Sequence, residues 1–343
     1  MIGHRIAFLI VFLAVATFAC GYKTDIPLEF PTPPSEPDAS PLAKLEYKHD
    51  AELEKRIAVI VETARGKVGV AAVVIETGEA AFLNAAERFP MQSVYKLPIA
   101  MAVMDKVRLG DLELDEIVAV PPEDFVRAGM RSPLRDANPM GGVFTIRELI
   151  RLSIVESDGT ASDVLLRVVG GAHEVQHFLS QIGITNLRVV NSEKEIGRDW
   201  NTQYQNWVTP TAAAELLRWL GTAAKIEGVS GVTQEPADGE DSRGLDVLVT
   251  FLIDSVPGKM RLKNQIPKGA RVAHKTGTSG TENGFTAATN DIGIIDLPSG
   301  RHLAIAVFVS DSPADEKTRE AIIANIAKTV WDRWGSAAVS TTP

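Results

Sequence analysis

The chain has 343 residues, 45% of them hydrophobic and 23% charged, and a net charge of −9. That length suits one large domain or two small ones, with the composition of an ordinary soluble globular protein. The acidic balance, without a basic stripe interleaved with aromatics, argues against a nucleic-acid groove as its main business.

Residues 1–20 read as a targeting segment. His4 and Arg5 form a short n-region, Ile6 to Ala16 an eleven-residue apolar run, and Thr17-Phe18-Ala19 precedes Cys20. Such a run is too short to span a bilayer as a mature helix. Cys20 is the only cysteine, so no internal disulfide is possible. A lone cysteine after a small residue at the end of an apolar run resembles a bacterial lipoprotein signal, although Thr17 stands where leucine is commoner. That resemblance implies lipidation at Cys20, a membrane-anchored protein and a Gram-negative periplasmic location. Ordinary cleavage nearby is the alternative, and both imply export. Residues 21–45, with Pro27, Pro31, Pro33, Pro34, Pro37 and Pro41, are expected to form a semi-extended tether.

One folded unit is expected over 46–335, followed by a frayed tail at 336–343. Helical periodicity covers Ala51 to Ala64. Val68 to Ile75 and Ala80 to Leu83 read as strands around a Thr77-Gly78-Glu79 turn. A helix is expected from Ser93, then two over Thr145–Val155 and Thr160–Val169, the first capped by Thr145 with Glu148 three residues on. Another opens at Thr209 with Pro210 in its first turn. Gln234 to Arg243 reads as a polar surface loop. Strands follow at Arg271–Thr276, Phe285–Asp296 and His302–Val309, and a final helix at Pro313–Trp334. Early and late strands with helices between imply an α+β fold: a five-stranded antiparallel sheet with flanking terminal helices and an inserted, mainly helical subdomain.

Ser93 and Lys96 stand three residues apart in Met91-Gln92-Ser93-Val94-Tyr95-Lys96. On a helix they share one face, and an amine there can take the hydroxyl proton and make a nucleophile of an inert serine. One S-x-x-K is about what chance supplies in a chain this long, so the accompanying motifs decide. In order these are Ser157-Asp158-Gly159 between two helices, Glu193 in a polar stretch, and Lys275-Thr276-Gly277 at a strand end. His173-Glu174-Val175-Gln176-His177 also satisfies the zinc-peptidase pattern H-E-x-x-H. At about 100° per residue, however, Val175, Phe178, Leu179 and Ile182 share one helix face and the two histidines point away from it.

The four motifs resemble the class A serine β-lactamases, within the wider family of penicillin-recognising serine enzymes. Gln203-Tyr204-Gln205-Asn206-Trp207 with Thr209-Pro210-Thr211-Ala212 is similar to their extended-spectrum branch. The likeness covers about residues 46–335. It implies Ser93 as nucleophile, Lys96 as proton acceptor beside Lys275, Ser157 as relay to the leaving nitrogen, and Glu193 as activator of the deacylating water. It implies Thr276, Gly277, Thr278 and Gly159 around the substrate, Arg261 as an extra cation for its carboxylate, and the backbone N–H groups of Ser93 and Thr278 as oxyanion donors. β-Lactam antibiotics are the expected substrates, with no cofactor, no metal, no nucleic acid and a monomeric state.

Several positions depart from the pattern. Gly159 stands where Asn usually holds the substrate amide, and Gly197 where Asn often helps hold the water. Asn191 and Asn206 replace a common Arg–Asp pair across the Glu-bearing loop, which must then be held differently. Arg131 aligns near an aromatic at the entrance. Glu195 rivals Glu193 as base, but Glu193 lies ten residues before Gln203, the family spacing. The alternatives are a penicillin-binding D,D-peptidase, which lacks such a base, and a binding protein that keeps the fold but senses muropeptides or β-lactams.

Overall fold

A computed structural model describes residues 45–224, 226 and 244–335, all within the unit Ala39–Pro343. The targeting segment, Cys20, the tether up to residue 44, the Gln234–Arg243 stretch and the tail lie outside the described residues. In chain order the main elements are β1 (Lys48–His49), α1 (Ala51–Val61), β2 (Lys67–Val74), β3 (Glu79–Leu83), α2 (Lys96–Leu109), α3 (Pro133–Ala137), α4 (Ile146–Val155), α5 (Gly159–Val168), α6 (Ala172–Gln181), α7 (Glu193–Ile196), α8 (Pro210–Ala223), α9 (Leu245–Ile253), β4 (Val272–Thr278), β5 (Thr289–Asp296), β6 (His302–Ser310) and α10 (Glu316–Trp334).

The main sheet runs β1-β3-β2-β6-β5-β4. Five strands form the expected antiparallel set, joining both ends of the chain. Two-residue β1 adds a parallel edge against β3, with Lys48 opposite Glu79. Alternation along β6 separates two cores. Leu303, Ile305, Val307 and Val309 pack with Leu53, Ile57, Ile322 and Val330 of the terminal helices α1 and α10. Ala304, Ala306 and Phe308 face α8 and the inserted helices. A strand covered on both faces is buried along its whole length, which is why β2 and β6 read as continuous apolar runs.

Helix α2 is apolar nearly all round, from Leu97 to Met104, and runs through the larger core. It begins at Lys96. Gln92–Tyr95 form a tight 3₁₀ turn where the sequence led us to expect regular helix from Ser93. Thr145 and Glu148 make the expected capping box, and Thr209 caps α8 ahead of Pro210. The strand expected over Phe285–Asp296 is interrupted. Phe285–Thr286 pair back on Thr281–Glu282 around Asn283-Gly284, both with positive φ, and β5 starts only at Thr289. Among the described residues no helix is long and apolar enough to cross a membrane.

Candidate active site

Gly277 in β4 lets the sheet edge meet the turn that carries Ser93. A β-carbon there would lie 2.2 Å from the Met91 carbonyl oxygen, so only glycine permits the approach. Asn290 of β5 donates to the carbonyls of Pro90 (2.8 Å) and Met91 (3.2 Å), and Met91 N–H donates to the Asn206 carbonyl at 2.9 Å. Gln92 holds a positive φ of 47° and donates to Gln203 at 2.6 Å. The nucleophile turn is thus tied to both the sheet and the Glu193-bearing loop. Ser93 and Thr278, the two expected oxyanion donors, sit on the pieces that Gly277 brings together.

Two buried amines and a hydroxyl line the next layer. Lys96, 1% exposed, donates to the Ser157 carbonyl at 2.8 Å and lies 3.3 Å from Glu193 Oε2. Lys275, also fully buried, donates to Ser157 Oγ at 3.0 Å. Burial and the neighbouring Lys96 push the Lys275 ammonium well below the usual lysine range. Ser157 sits at the α4–α5 junction with φ 57°, held there because Asp158 caps α5 through Ala161 N–H and accepts from Ser132 Oγ and Leu134 N–H. The Lys275–Ser157 contact sets an amine and a hydroxyl within hydrogen-bond distance of each other. Thr276 is buried in the same strand.

Glu193 is the first residue of α7. Its carboxylate accepts from Tyr95 OH at 2.7 Å, and its backbone N–H donates to Asp163 at 2.6 Å. Glu195 is committed elsewhere: it completes the capping box with Ser192 and pairs with Arg198 at 3.7 Å. The S-x-x-E spacing of Ser192 and Glu195 is the sequence signal that would have told the two glutamates apart. The missing Arg–Asp pair is replaced by amides. Asn206, fully buried, accepts from the N–H groups of Val190 and Asn191 and donates to the Asn191 carbonyl, while Asn191 donates to Gln205.

The two unusual glycines are both filled by neighbours. A β-carbon at Gly159 would lie 2.8 Å from Glu193 Cγ and 3.2 Å from the Arg131 carbonyl; at Gly197 it would lie 2.7 Å from Met130 Sδ. Segment 126–131 therefore leans into space that side chains at these positions would take. Arg131 itself is half-exposed and bonds the Glu156 carbonyl and carboxylate. Arg261, 3% exposed, donates to Thr278 Oγ1 at 2.8 Å and to the carbonyls of Gly277 and Asn290, and pairs with Glu320 at 3.1 Å. Its charge reaches the expected carboxylate site through Thr278. Sequence reasoning missed Tyr95 and Asp163, which no motif marks. His173 and His177 project to solvent from α6, while Val175, Phe178 and Leu179 are buried. An open cleft of about 550 Å³ between Arg88, Arg188 and Trp207 contains none of the candidate catalytic residues.

A family description, "Beta-lactamase enzyme family", matches residues 52–334. The chain belongs to the beta-lactamase enzyme family. It is 36% identical over 280 residues to Beta-lactamase VEB-1 of Pseudomonas aeruginosa, covering 82% of this chain and 89% of that one. It is 38% identical over 281 residues to Extended-spectrum beta-lactamase PER-1 of the same organism, covering 81% and 86%. A solved β-lactamase from Chitinophaga pinensis superimposes with a TM-score of 0.76 at 36% identity, covering 82% of this chain and 99% of that one. The class A resemblance and the α+β fold read from the sequence are both borne out.

Proposed function

We infer that this β-lactamase opens the β-lactam amide by the class A route, with Ser93 as nucleophile and Glu193 as deacylating base. The observation that carries this reading is the contact of Lys96 Nζ with Glu193 Oε2 at 3.3 Å, alongside its 2.8 Å bond to the Ser157 carbonyl. An amine suited to the acylation step and a carboxylate suited to the second step are in contact, which supports this division of roles. The Ser93 proton passes to Lys96 Nζ as Oγ bonds to the lactam carbonyl carbon. The carbonyl–nitrogen bond breaks, and the ring nitrogen takes a proton through Ser157 from Lys275. The Ser93 and Thr278 N–H groups stabilise the oxyanion, and Thr276, Gly277, Thr278 and Arg261 provide the carboxylate end. Water then gives its proton to Glu193 while attacking the ester, and Ser93 leaves. The D,D-peptidase alternative lacks such a base, so a Glu193 role in deacylation favours the β-lactamase reading.

The decisive test is hydrolysis of a chromogenic cephalosporin by wild type, Ser93→Ala and Glu193→Ala, with intact mass spectrometry. Ser93→Ala should form no adduct and Glu193→Ala should accumulate one; rapid turnover by Glu193→Ala sinks its assigned role. We further propose export and lipid anchoring through Cys20, on the sequence of residues 1–20. Wild type should partition into detergent and Cys20→Ser should not. The monomeric reading is checked by light scattering.

A further inference from the structure

Glu193 has three side-chain torsions and sits at the first position of a four-residue helix. Left to itself its carboxylate would sample several orientations, and a base that activates water must present one oxygen to it. Three groups restrict it. Asp163 of α5 accepts the backbone N–H groups of Glu193 (2.6 Å) and Lys194 (3.0 Å). Lys96 reaches Oε2 at 3.3 Å, and Tyr95 OH donates to the same Oε2 at 2.7 Å. Among the described residues Oε1 has no hydrogen-bond partner.

We propose that Tyr95 is a positioning residue for deacylation: its hydroxyl holds Glu193 by Oε2 so that Oε1 faces the attacking water. The proposal rests on Glu193 being the deacylating base. Tyr95 is suited to the task because its ring is fully buried and lies in the same 3₁₀ turn as Ser93. A rigid phenol fixed to the nucleophile's own backbone sets the base relative to the acyl group it must clear. Burial, with Glu193 and Asp163 nearby, pushes the Tyr95 hydroxyl well above its ordinary range, so it remains a donor at every working pH. In the step itself the water oxygen bonds to the ester carbon as its proton passes to Oε1. The carbon–oxygen bond to Ser93 then breaks, and Ser93 recovers from Lys96 the proton it gave up in acylation. Tyr95 keeps its own proton throughout.

Without the hydroxyl, Lys96 alone holds the carboxylate and draws both oxygens toward its ammonium. The turn, Ser93 and Lys96 are otherwise retained, so acylation should be spared. The test is Tyr95→Phe, with Glu193→Ala as reference, by stopped flow on a chromogenic cephalosporin and intact mass. Rates are taken per titrated active site, so a partly unfolded sample cannot imitate the effect. Acylation should stay within about threefold while deacylation slows by about 10- to 100-fold and adduct accumulates. Wild-type deacylation by Tyr95→Phe overturns the proposal and leaves the Glu193 reading intact. Equal slowing of both steps, with no adduct, overturns it too, because the hydroxyl would then only support the fold. Wild-type deacylation by Glu193→Ala instead overturns the reading beneath it.

Discussion

Gly159 and Glu193 share one small volume: a β-carbon on the glycine would lie 2.8 Å from Glu193 Cγ. Cγ is mid-chain, its carboxylate end pinned by Tyr95 and Lys96 and its backbone by Asp163. Glu193 therefore cannot step aside without losing one of those ties. Gly159→Asn should regain an amide for the substrate and lose the base's position, lowering KM and lowering kcat by about tenfold or more. A kcat that rises would show that Glu193 has room the geometry denies.

Gly197 gives the contrasting case. The atom nearest its missing β-carbon is Met130 Sδ, near the end of a flexible side chain that can swing away. Gly197→Ala should stay within about twofold of wild type in turnover, by the same assay. A loss as large as that of Gly159→Asn would mean that segment 126–131 is rigidly placed.

Asp163 ties the loop to pH. Burial, with Glu193 nearby, raises its carboxyl from 3.8 to about 6, against two backbone N–H bonds that lower it. The folded value lies above the unfolded one, so this group's stabilising contribution is complete below about pH 3.8 and is lost as pH rises through about 6. It amounts to at most about 3 kcal/mol. Turnover should run the other way, because only the anion offers both oxygens cleanly to the Glu193 and Lys194 N–H groups. Asp163→Asn should remove the stability decline between about pH 4 and 6, measured by urea unfolding. It should also lower kcat about tenfold at neutral pH. An unchanged stability profile would remove Asp163 from this role.

Much of the site could be read directly from the chain because its parts are local. Ser93 and Lys96 are one turn apart whatever surrounds them, and Lys275-Thr276-Gly277 needs only a strand to display it. Tyr95 and Asp163 were not legible, because their roles arise from contacts 98 and 30 residues away in sequence. Asn283-Gly284 is a hairpin signal that the sequence reading passed over, because the apolar residues beyond it made 285–296 read as one strand. β1 has two residues and a parallel partner, too little pattern for alternation to register.

Asn206 does with one amide what an ion pair would do across the loop. Three hydrogen bonds join it to Val190 and Asn191, at 2.8 to 2.9 Å, in a site closed to water. Asn206→Ala should cost about 3 kcal/mol, since each lost bond is worth about 1 and buried N–H groups are left unpaired. Residues 190–205 should become sensitive to limited proteolysis. Asn206→Asp keeps the acceptor and should lose less; equal cleavage of both variants would place the effect on the donor instead.

Arg261 joins stability to substrate binding. Its guanidinium braces β4 and β5 through Gly277 and Asn290, pairs with Glu320, and donates to Thr278 Oγ1. Arg261→Ala leaves Glu320 without that pair in a mostly buried setting, at a cost of about 3 kcal/mol. For a domain of this size that lowers Tm by about 6 °C. Arg261→Lys keeps the charge without the planar fork and cannot serve Thr278 and the two carbonyls together. If Arg261 acts on the substrate carboxylate through Thr278, Arg261→Lys should raise KM about tenfold with kcat nearly unchanged, measured below the melting range. A fall in kcat with KM unchanged would instead place its effect on the oxyanion N–H of Thr278.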